Sequence, residues 1–318
     1  MLPDPLHPER GQFVRDQAAA LRSFPDVEVE LFEFEPGVAS LAHAAGDLRR
    51  RYGPPSTLSR RPSREAFDVV HAHFGLTAWP ALALPARVRA LTVHGSDLSH
   101  PRTRLATAAV LAKIDVLGAV SQSLIARLPG RAARERALVL PCGVDLSRFQ
   151  PIERAEARAQ LGLGPEAPYV LFAADPARPE KRHDLARALA EAAGVRLLTL
   201  GGVDPRQAPL WFNAANAVLV PSDREGFGLA TLEALACDVP VLATPVGVHA
   251  EALAGVAGTL CAPFELSIWL AALAPHLQEQ APRPQGRAAA ERFSSVAMAQ
   301  RVREAWKRAL EHSDERSG

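Results

Sequence analysis

The sequence contains few of the residues on which several classes of protein depend. Of its 318 residues, three are cysteine and three are lysine, against 33 arginines. Cys142, Cys237 and Cys261 are odd in number and far apart, and none has the spacing of metal ligands. This pattern argues against a disulfide framework or a zinc site and predicts free thiols in a reducing compartment.

Long apolar runs are also missing, since none approaches the ~18 residues that a membrane-spanning helix needs. The sequence does not open on a charged, apolar and small-residue leader. A formal net charge of +1 gives no basis for binding nucleic acid. These absences predict a cytoplasmic protein that at most lies peripherally on the cytoplasmic face of the membrane.

Several signatures of metal and nucleophile chemistry do not occur. An Asp-x-Asp tripeptide, which would supply a carboxylate clamp for a divalent metal, is absent. The P-loop, the H-E-x-x-H zinc motif and the serine nucleophile elbow are absent too. We therefore expect no metal site.

Short apolar runs alternate with helical patterns along the chain, which predicts parallel sheets and an α/β fold class. The chain is long enough for two domains with separate cores. The strands expected in the first half are 27–31, 67–73, 89–97, 114–120 and 137–140. Those expected in the second half are 169–174, 195–200, 217–220, 239–243 and 258–261.

One corner of the second half predicts a ligand site. The strand 217–220 runs into a glycine-rich turn, and a helix follows from about Thr231. The unpaired N–H groups at such a helix start favour an anion. Glu225 lies on the turn and Glu233 on the helix, where carboxylates can accept hydrogen bonds from hydroxyls. This chemistry suits a phosphate joined to a polyol.

The segments around these glutamates resemble a known family. They read Glu-Gly-Phe-Gly-Leu, Leu-Glu-Ala-Leu-Ala and, at 238–247, Asp-Val-Pro-Val-Leu-Ala-Thr-Pro-Val-Gly. They are similar to the retaining glycosyltransferases of family four (group 1), which carry the E-x7-E signature on a GT-B fold.

The resemblance implies two Rossmann-like, doubly wound domains with a cleft between them. We expect an acceptor-side domain over 1–148 and a nucleotide-sugar domain over 149–294, with a C-terminal helix over about 295–313 packing back on the first. The family begins with an apolar strand that is normally central in the first sheet. Met1 to Arg10 do not show it, so the first strand is expected to be missing.

The resemblance also implies roles for individual residues. Glu225 would hold the donor sugar and Glu233 the ribose, while Lys181 and Arg178 would neutralise the departing diphosphate. His94 would contact the sugar or its leaving phosphate. Further donor-binding positions are Gly11, Phe227, Gly228, Leu229 and Ala230.

The implied activity is transfer of a hexosyl-type sugar from a nucleotide-diphosphate donor to an acceptor hydroxyl, with retention and without metal or cofactor. Cell-envelope polysaccharide or glycolipid synthesis is the expected setting. Two alternatives stay open: a GT-B nucleotide-sugar epimerase, and a non-catalytic nucleotide-binding remnant that lacks the first strand.

A basic stretch from Arg49 to Arg64 could dock on anionic lipid, which would suit a lipid-linked acceptor. Prolines interrupt any amphipathic helix there, so a solvated loop is favoured.

Overall fold

A computed structural model describes residues 11–35, 37–53, 67–278 and 283–315. Its described residues divide into two units. The first takes them from Gln17–Pro141 and Met298–Gly318, and the second from Pro3–Asp16 and Cys142–Ala297. Residues 142–148, which the sequence assigned to the N-terminal domain, lie in the second unit. There the Val144 amide donates to the Phe293 carbonyl at 2.8 Å.

The first unit contains a parallel sheet of four strands in the order β1–β2–β3–β4 among the described residues. The strands are β1 (Phe67–His73), β2 (Ala86–Val93), β3 (Val116–Ala119) and β4 (Leu138–Val139). The chain before and between them forms α1 (Gln12–Leu21), α2 (Val38–Tyr52), α3 (Ala78–Ala81), α4 (Ser96–Ser99), α5 (Pro101–Val110), α6 (Gln122–Arg127) and α7 (Arg131–Arg136).

The second unit contains five parallel strands in the order β6–β5–β7–β8–β9. They are β5 (Tyr169–Phe172), β6 (Arg196–Thr199), β7 (Ala217–Val220), β8 (Val241–Ala243) and β9 (Leu260–Cys261). The helices of this unit are α8 (Arg154–Gln160), α9 (His183–Ala193), α10 (Ala208–Ala214), α11 (Leu229–Ala236), α12 (His249–Leu253), α13 (Leu266–Leu273) and α14 (Arg287–Glu291). The chain turns from β5 to the edge strand β6 and then continues on the other side of β5. The strand order therefore reverses between β5 and β7, where open α/β sheets bind ligands.

The core of the second unit explains why its strands β5 and β7 are short, apolar runs. β5 and β7 are buried along their whole length, as a parallel sheet covered on both faces requires. Helix α9 buries Ala186, Leu189 and Ala190 at helical spacing against this sheet. It ends at Gly194, whose φ of 67° is the left-handed conformation that glycine adopts without strain.

A last helix, α15 (Ser295–Glu315), packs within the first unit from Met298 onward. Met298, Ala299 and Val302 are buried in one cluster with residues that include Leu21 and those of β2 and β3. Val296, near the start of this helix, is 59% exposed.

The strand predicted at 27–31 is wrong. The segment 27–35 has no strand partner among the described residues. It is held instead by the Arg22 guanidinium, which donates to the Val29 carbonyl at 2.9 and 3.1 Å, and Val27 and Val29 pack against the first core. Side-chain anchoring thus replaces the sheet pairing that the alternation suggested.

Two expectations fall outside the described residues. These are the missing first strand, which concerns residues 1–10, and the part of the basic stretch in 54–66. Within the part of the chain that is described, no helix is both long and apolar enough to cross a membrane.

Candidate active site

Lys181 and Glu225 meet at the point where the order of the second sheet reverses. Lys181 ends a 3₁₀ turn, Pro179–Lys181, in the segment after β5, and Glu225 lies in the turn after β7. The Lys181 Nζ lies 2.7 Å from each carboxylate oxygen of Glu225. The two turns are also joined by their backbones, since the Asp223 amide donates to the Glu180 carbonyl at 2.9 Å.

This ion pair is largely removed from water. The side chains of Lys181 and Glu225 are 13% and 7% exposed. Burial alone would raise the pKa of Glu225, but the charge and hydrogen bonds of Lys181 outweigh it and hold the pKa below its ordinary 4.5. The Ser222 hydroxyl also donates to Glu225 at 2.8 Å. Glu225 is therefore an ionised carboxylate in a fixed position.

Helix α11 begins beside this pair without a cap. Gly228 is the N-cap residue, and no side chain accepts a hydrogen bond from the first turn. In the described part of the chain, the amides of Leu229 and Ala230 have no acceptor, and the buried Thr231 hydroxyl has no partner. The free N–H groups in the first turn of α11 can therefore donate hydrogen bonds to an anion.

The segment between β8 and α12 holds this corner rigid. The Val248 amide donates to the Phe227 carbonyl at 2.7 Å, and the Thr244 hydroxyl donates to the Ser222 carbonyl at 2.5 Å. Gly247 has a φ of 60°, and a Cβ there would lie 2.2 Å from the Phe227 carbonyl oxygen. Glycine is therefore required for this close approach.

Glu233 lies about one turn into the same helix and is half-buried. Burial raises its pKa to about 7, while the positive charge of Arg148 opposes the shift and Asp16 adds to it. Arg148 itself is bound to the Asp16 carboxylate at 2.8 and 3.1 Å. No hydrogen bond to the Glu233 carboxyl is found within the described ranges, so it is available to ligand hydroxyls.

The opposite end of α11 is anchored. Arg287 donates to the Ala236 carbonyl at 3.0 Å, and also to the carbonyls of Phe149 and Leu146, both at 2.8 Å. Its own amide donates to Asp238 at 2.8 Å. A cation at a helix C-terminus is favoured by the helix dipole.

Other predicted donor residues have different surroundings. The side chain of Arg178 is 53% exposed, and its partner in the described residues is Glu180 at 2.7 Å, not Glu225. The Phe227 ring is buried and packs edge-on against Phe293, so only its backbone can face a ligand. Gly11 is buried with a φ of 70°, and its carbonyl accepts from the first turn of α1. The donor role of each remains a prediction.

His94 belongs to the first unit, at the carboxyl end of β2. Its Nε2 lies 3.0 Å from Nδ1 of His73, whose ring stacks on that of His71. Removal from water lowers the pKa of all three imidazoles, that of His73 to about 4. They form a neutral cluster at pH 7.

Asp97 fixes the backbone beside these rings. Its buried carboxylate accepts from the amides of Gly75 at 2.7 Å, His94 at 2.6 Å and Gly95 at 3.2 Å. Asp97 thereby ties the corner after β1 to the corner after β2.

Sequence reasoning did not single out Ser222, Arg148, Asp97 or His249. Asp97 follows the His-Gly turn closely enough to have been considered as its anchor. Ser222 lies close to its partner Glu225 and could have been considered for the same reason. Arg148 carries no local signal, because its partner Asp16 is distant in the sequence, and nothing in the sequence places His249 beside Gly228. Among the described residues, no group of three histidine, cysteine or acidic side chains could hold a metal ion.

Comparisons with known proteins agree with this architecture. Residues 13–148 match the family model described as Glycosyltransferase Family 4, and residues 166–279 match that described as Glycosyl transferases group 1. A D-inositol 3-phosphate glycosyltransferase of Actinosynnema mirum is 35% identical over 67% of this chain and 66% of its own length. One of Xylanimonas cellulosilytica is 30% identical over 71% of this chain and 68% of its length.

Solved structures show the same fold. Sucrose-phosphate synthase from Thermosynechococcus elongatus superposes with a TM-score of 0.69 at 19% identity, covering 96% of this chain and 94% of that one. Anabaena HepE in complex with UDP and glucose superposes with a TM-score of 0.61 at 18% identity, covering 88% and 86%.

The fold is therefore that of the GT-B glycosyltransferases, with two parallel-sheet α/β domains, as the sequence predicted. The chain belongs to glycosyltransferase family four. It spans about two thirds of the length of the curated relatives it matches, 66% in the case of A. mirum.

Proposed function

We propose that the protein transfers a sugar from a nucleoside-diphosphate sugar to an acceptor hydroxyl, with retention of anomeric configuration. The observation that supports this most is the buried Lys181–Glu225 pair at the uncapped start of α11, with Glu233 on the same helix. The helix amides and Lys181 supply positive potential for a diphosphate. The two carboxyl groups supply acceptors for sugar and ribose hydroxyls.

The proposed chemistry is electrostatic. As the bond from the anomeric carbon to the diphosphate oxygen breaks, negative charge grows on the leaving group, and Lys181 and the α11 amides stabilise it. Glu225 holds the sugar hydroxyls and orients the ring. On the same face, the acceptor oxygen forms a bond to the anomeric carbon, and the leaving phosphate takes the proton that this hydroxyl loses. We propose that no metal ion is needed and that Arg178 adds positive charge from its exposed loop.

The donor base is proposed to be uracil, because HepE, a structural neighbour, was solved in complex with UDP and glucose. For the acceptor, the relatives are named for D-inositol 3-phosphate, and a phosphorylated polyol is therefore the first acceptor to test. An acceptor in cell-envelope polysaccharide or glycolipid synthesis, including a lipid-linked one, is the second. A cytoplasmic location with peripheral membrane contact accords with both and is likewise a proposal.

The test begins with thermal shift of the protein with UDP-glucose, UDP-N-acetylglucosamine, GDP-mannose and ADP-glucose, since a ligand that binds the folded state raises its apparent stability. Release of nucleoside diphosphate is then measured with and without acceptor, and the anomeric configuration of the product is assigned by NMR. Excess chelator should leave the rate unchanged.

Lys181→Met and Glu225→Gln should each lower the rate of sugar transfer by at least about a hundredfold. This is the order of magnitude expected when one electrostatic contact to the leaving group is lost. Lys113→Met, at an exposed lysine of the first unit, is the matched control and should keep full activity. Undiminished turnover in Lys181→Met would contradict the proposed function.

A further inference from the structure

His249 is an imidazole that the proposed reaction does not use. It is the first residue of α12 and is 0% exposed. Nothing in its sequence surroundings marks it as a ligand-binding residue. Its position is nevertheless the same corner that holds Glu225 and the start of α11.

The hydrogen bonds of the ring define its neutral tautomer. Nδ1 lies 2.9 Å from the Thr244 carbonyl oxygen, which can only accept, so Nδ1 carries the proton. In the neutral ring Nε2 is then a bare acceptor. Nε2 is buried and has no hydrogen-bond partner within the described residues. A buried polar atom without a partner is unfavourable and calls for an explanation.

The unpaired nitrogen faces the N-terminus of α11. A Cβ built on Gly228 would lie 2.5 Å from Nε2 and 2.7 Å from Cδ2 of His249, so the ring edge packs directly against Gly228. Gly228 is the N-cap residue of α11, and the free amides of Leu229 and Ala230 follow it. An anion bound to these amides would lie near this ring edge, because Leu229 and Ala230 directly follow Gly228 in the chain.

The charged groups that face the ring are Glu225, which raises its pKa, and Lys181, which lowers it. Burial is the larger influence, and the pKa of His249 lies below its ordinary 6.5. The imidazole is therefore neutral at pH 7 without ligand. A diphosphate nearby would add negative charge in a site shielded from water, which favours the imidazolium.

We propose that binding of a nucleoside diphosphate at the start of α11 is coupled to uptake of one proton from solvent by Nε2 of His249. The uptake turns Nε2 from an unpaired acceptor into a donor at the corner where the negative charge arrives. This inference rests on the proposed function, because it takes the diphosphate of the donor as the anion.

Titration calorimetry measures the uptake directly. UDP, and in a separate series pyrophosphate, is titrated at pH 7.5 in buffers with different enthalpies of ionisation. The slope of the observed binding enthalpy against the ionisation enthalpy of the buffer gives the number of protons taken up per ligand bound. Work above pH 7 keeps the terminal phosphate of UDP, whose pKa is about 6, ionised in the free nucleotide.

We expect uptake approaching one proton in the wild type and none in His249→Asn, whose amide can keep the hydrogen bond to Thr244. Glu233→Gln is the control, because the Glu233 carboxyl also titrates near pH 7, and it should keep the uptake. Wild-type affinity for UDP should weaken by up to about tenfold for each pH unit above 7, whereas that of His249→Asn stays flat.

A spectrum of the wild type gives a second readout that needs no variant. In a histidine-labelled sample, the ¹⁵N shifts should show only Nδ1 of His249 protonated without ligand and both nitrogens protonated with UDP. If His249→Asn fails to fold, this spectrum alone shows whether Nε2 of His249 takes up a proton when UDP binds.

Binding of UDP or pyrophosphate without proton uptake, or with uptake unchanged in His249→Asn, would reject the role of His249 and leave the proposed function standing. If UDP, ADP, GDP and pyrophosphate all fail to bind, both proposals are rejected together.

Discussion

Replacing Lys181 by methionine should destabilise the second unit through the carboxylate that it leaves behind. Methionine keeps most of the length and apolar stem of lysine but removes the ammonium group. Glu225, 7% exposed, would then lose the partner that contacts both of its oxygens. Ser222 would remain as its one side-chain hydrogen-bond donor among the described residues.

The expected loss follows from this burial. Removing one partner of a buried ion pair typically costs about 3 to 5 kcal/mol, because the other charge stays uncompensated. For a domain of this size, that corresponds to a fall in unfolding temperature of about 6 to 20 °C. The double variant Lys181→Met/Glu225→Gln should recover most of the loss, since it removes the buried charge itself. It should not recover transfer activity.

The pH dependence gives a second signature. In the wild type the pKa of Glu225 is depressed, so its contribution to stability is complete above the ordinary value of 4.5 and is lost as the pH falls through the folded pKa. In Lys181→Met, burial without the cation raises the pKa, so stability is lost as the pH rises. The gap between the two proteins should be wide at pH 7.5 and narrow near pH 4.5.

Thermal unfolding followed by circular dichroism at the two pH values, with Lys113→Met as control, measures these differences. An unfolding temperature of Lys181→Met within 2 °C of wild type at pH 7.5 would refute the reasoning, because a loss of even about 1 kcal/mol shifts the unfolding temperature by about 2 °C or more. A double variant that is less stable than Lys181→Met would refute it too.

Three further predictions concern stability, each measured by thermal unfolding. Gly247→Ala should lower the free energy of unfolding by about 1 to 3 kcal/mol or more, because the added Cβ would clash with the Phe227 carbonyl. Gly202 also has a positive φ but has open space around it, so Gly202→Ala should lower the free energy of unfolding less. Equal losses in the two variants would contradict the steric explanation. Glu233→Gln should unfold at a higher temperature than wild type at pH 8, and this difference should disappear towards pH 4.5. The reason is that the pKa of Glu233 is raised to about 7 in the folded protein, so its ionisation destabilises the wild type as the pH rises. A difference in unfolding temperature that does not change with pH would contradict this prediction. Asp97→Asn should destabilise the first unit by about 1 to 3 kcal/mol, since an amide cannot accept all three backbone hydrogen bonds, and a stability like that of wild type would show that they are dispensable.

The sequence predicted the elements of the second unit well because their signals are local. β5 and β7 are short apolar runs, and Glu225 and Glu233 are fixed on a turn and a helix by residues within a few positions of them. The meeting of Lys181 with Glu225 required more, namely that β5 and β7 lie side by side. That followed from the order of a doubly wound sheet and from the family resemblance.

The features that sequence reasoning missed depend on contacts between distant segments. The alternation in 27–31 suggested a strand, but alternation cannot reveal whether a neighbouring strand is present. His249 packs against Gly228 only because the turns after β7 and β8 come together. Arg178 is 53% exposed and pairs with Glu180, two positions away, and the sequence pattern did not distinguish this pair from a contact with a ligand.

The contacts of Arg287 have a consequence for the way α11 responds to substitution. Arg287 binds the C-terminal end of the helix through the carbonyl of Ala236, whereas the N-terminal end, where we propose that the diphosphate binds, has no side-chain cap. A substitution of Arg287 would remove this contact and let the helix tilt about its C-terminal end. The uncapped amides at its N-terminal end, which lie farthest from that point, would then move the most. We therefore expect a substitution of Arg287 to weaken donor affinity, although this arginine lies at the other end of α11 from the proposed diphosphate site.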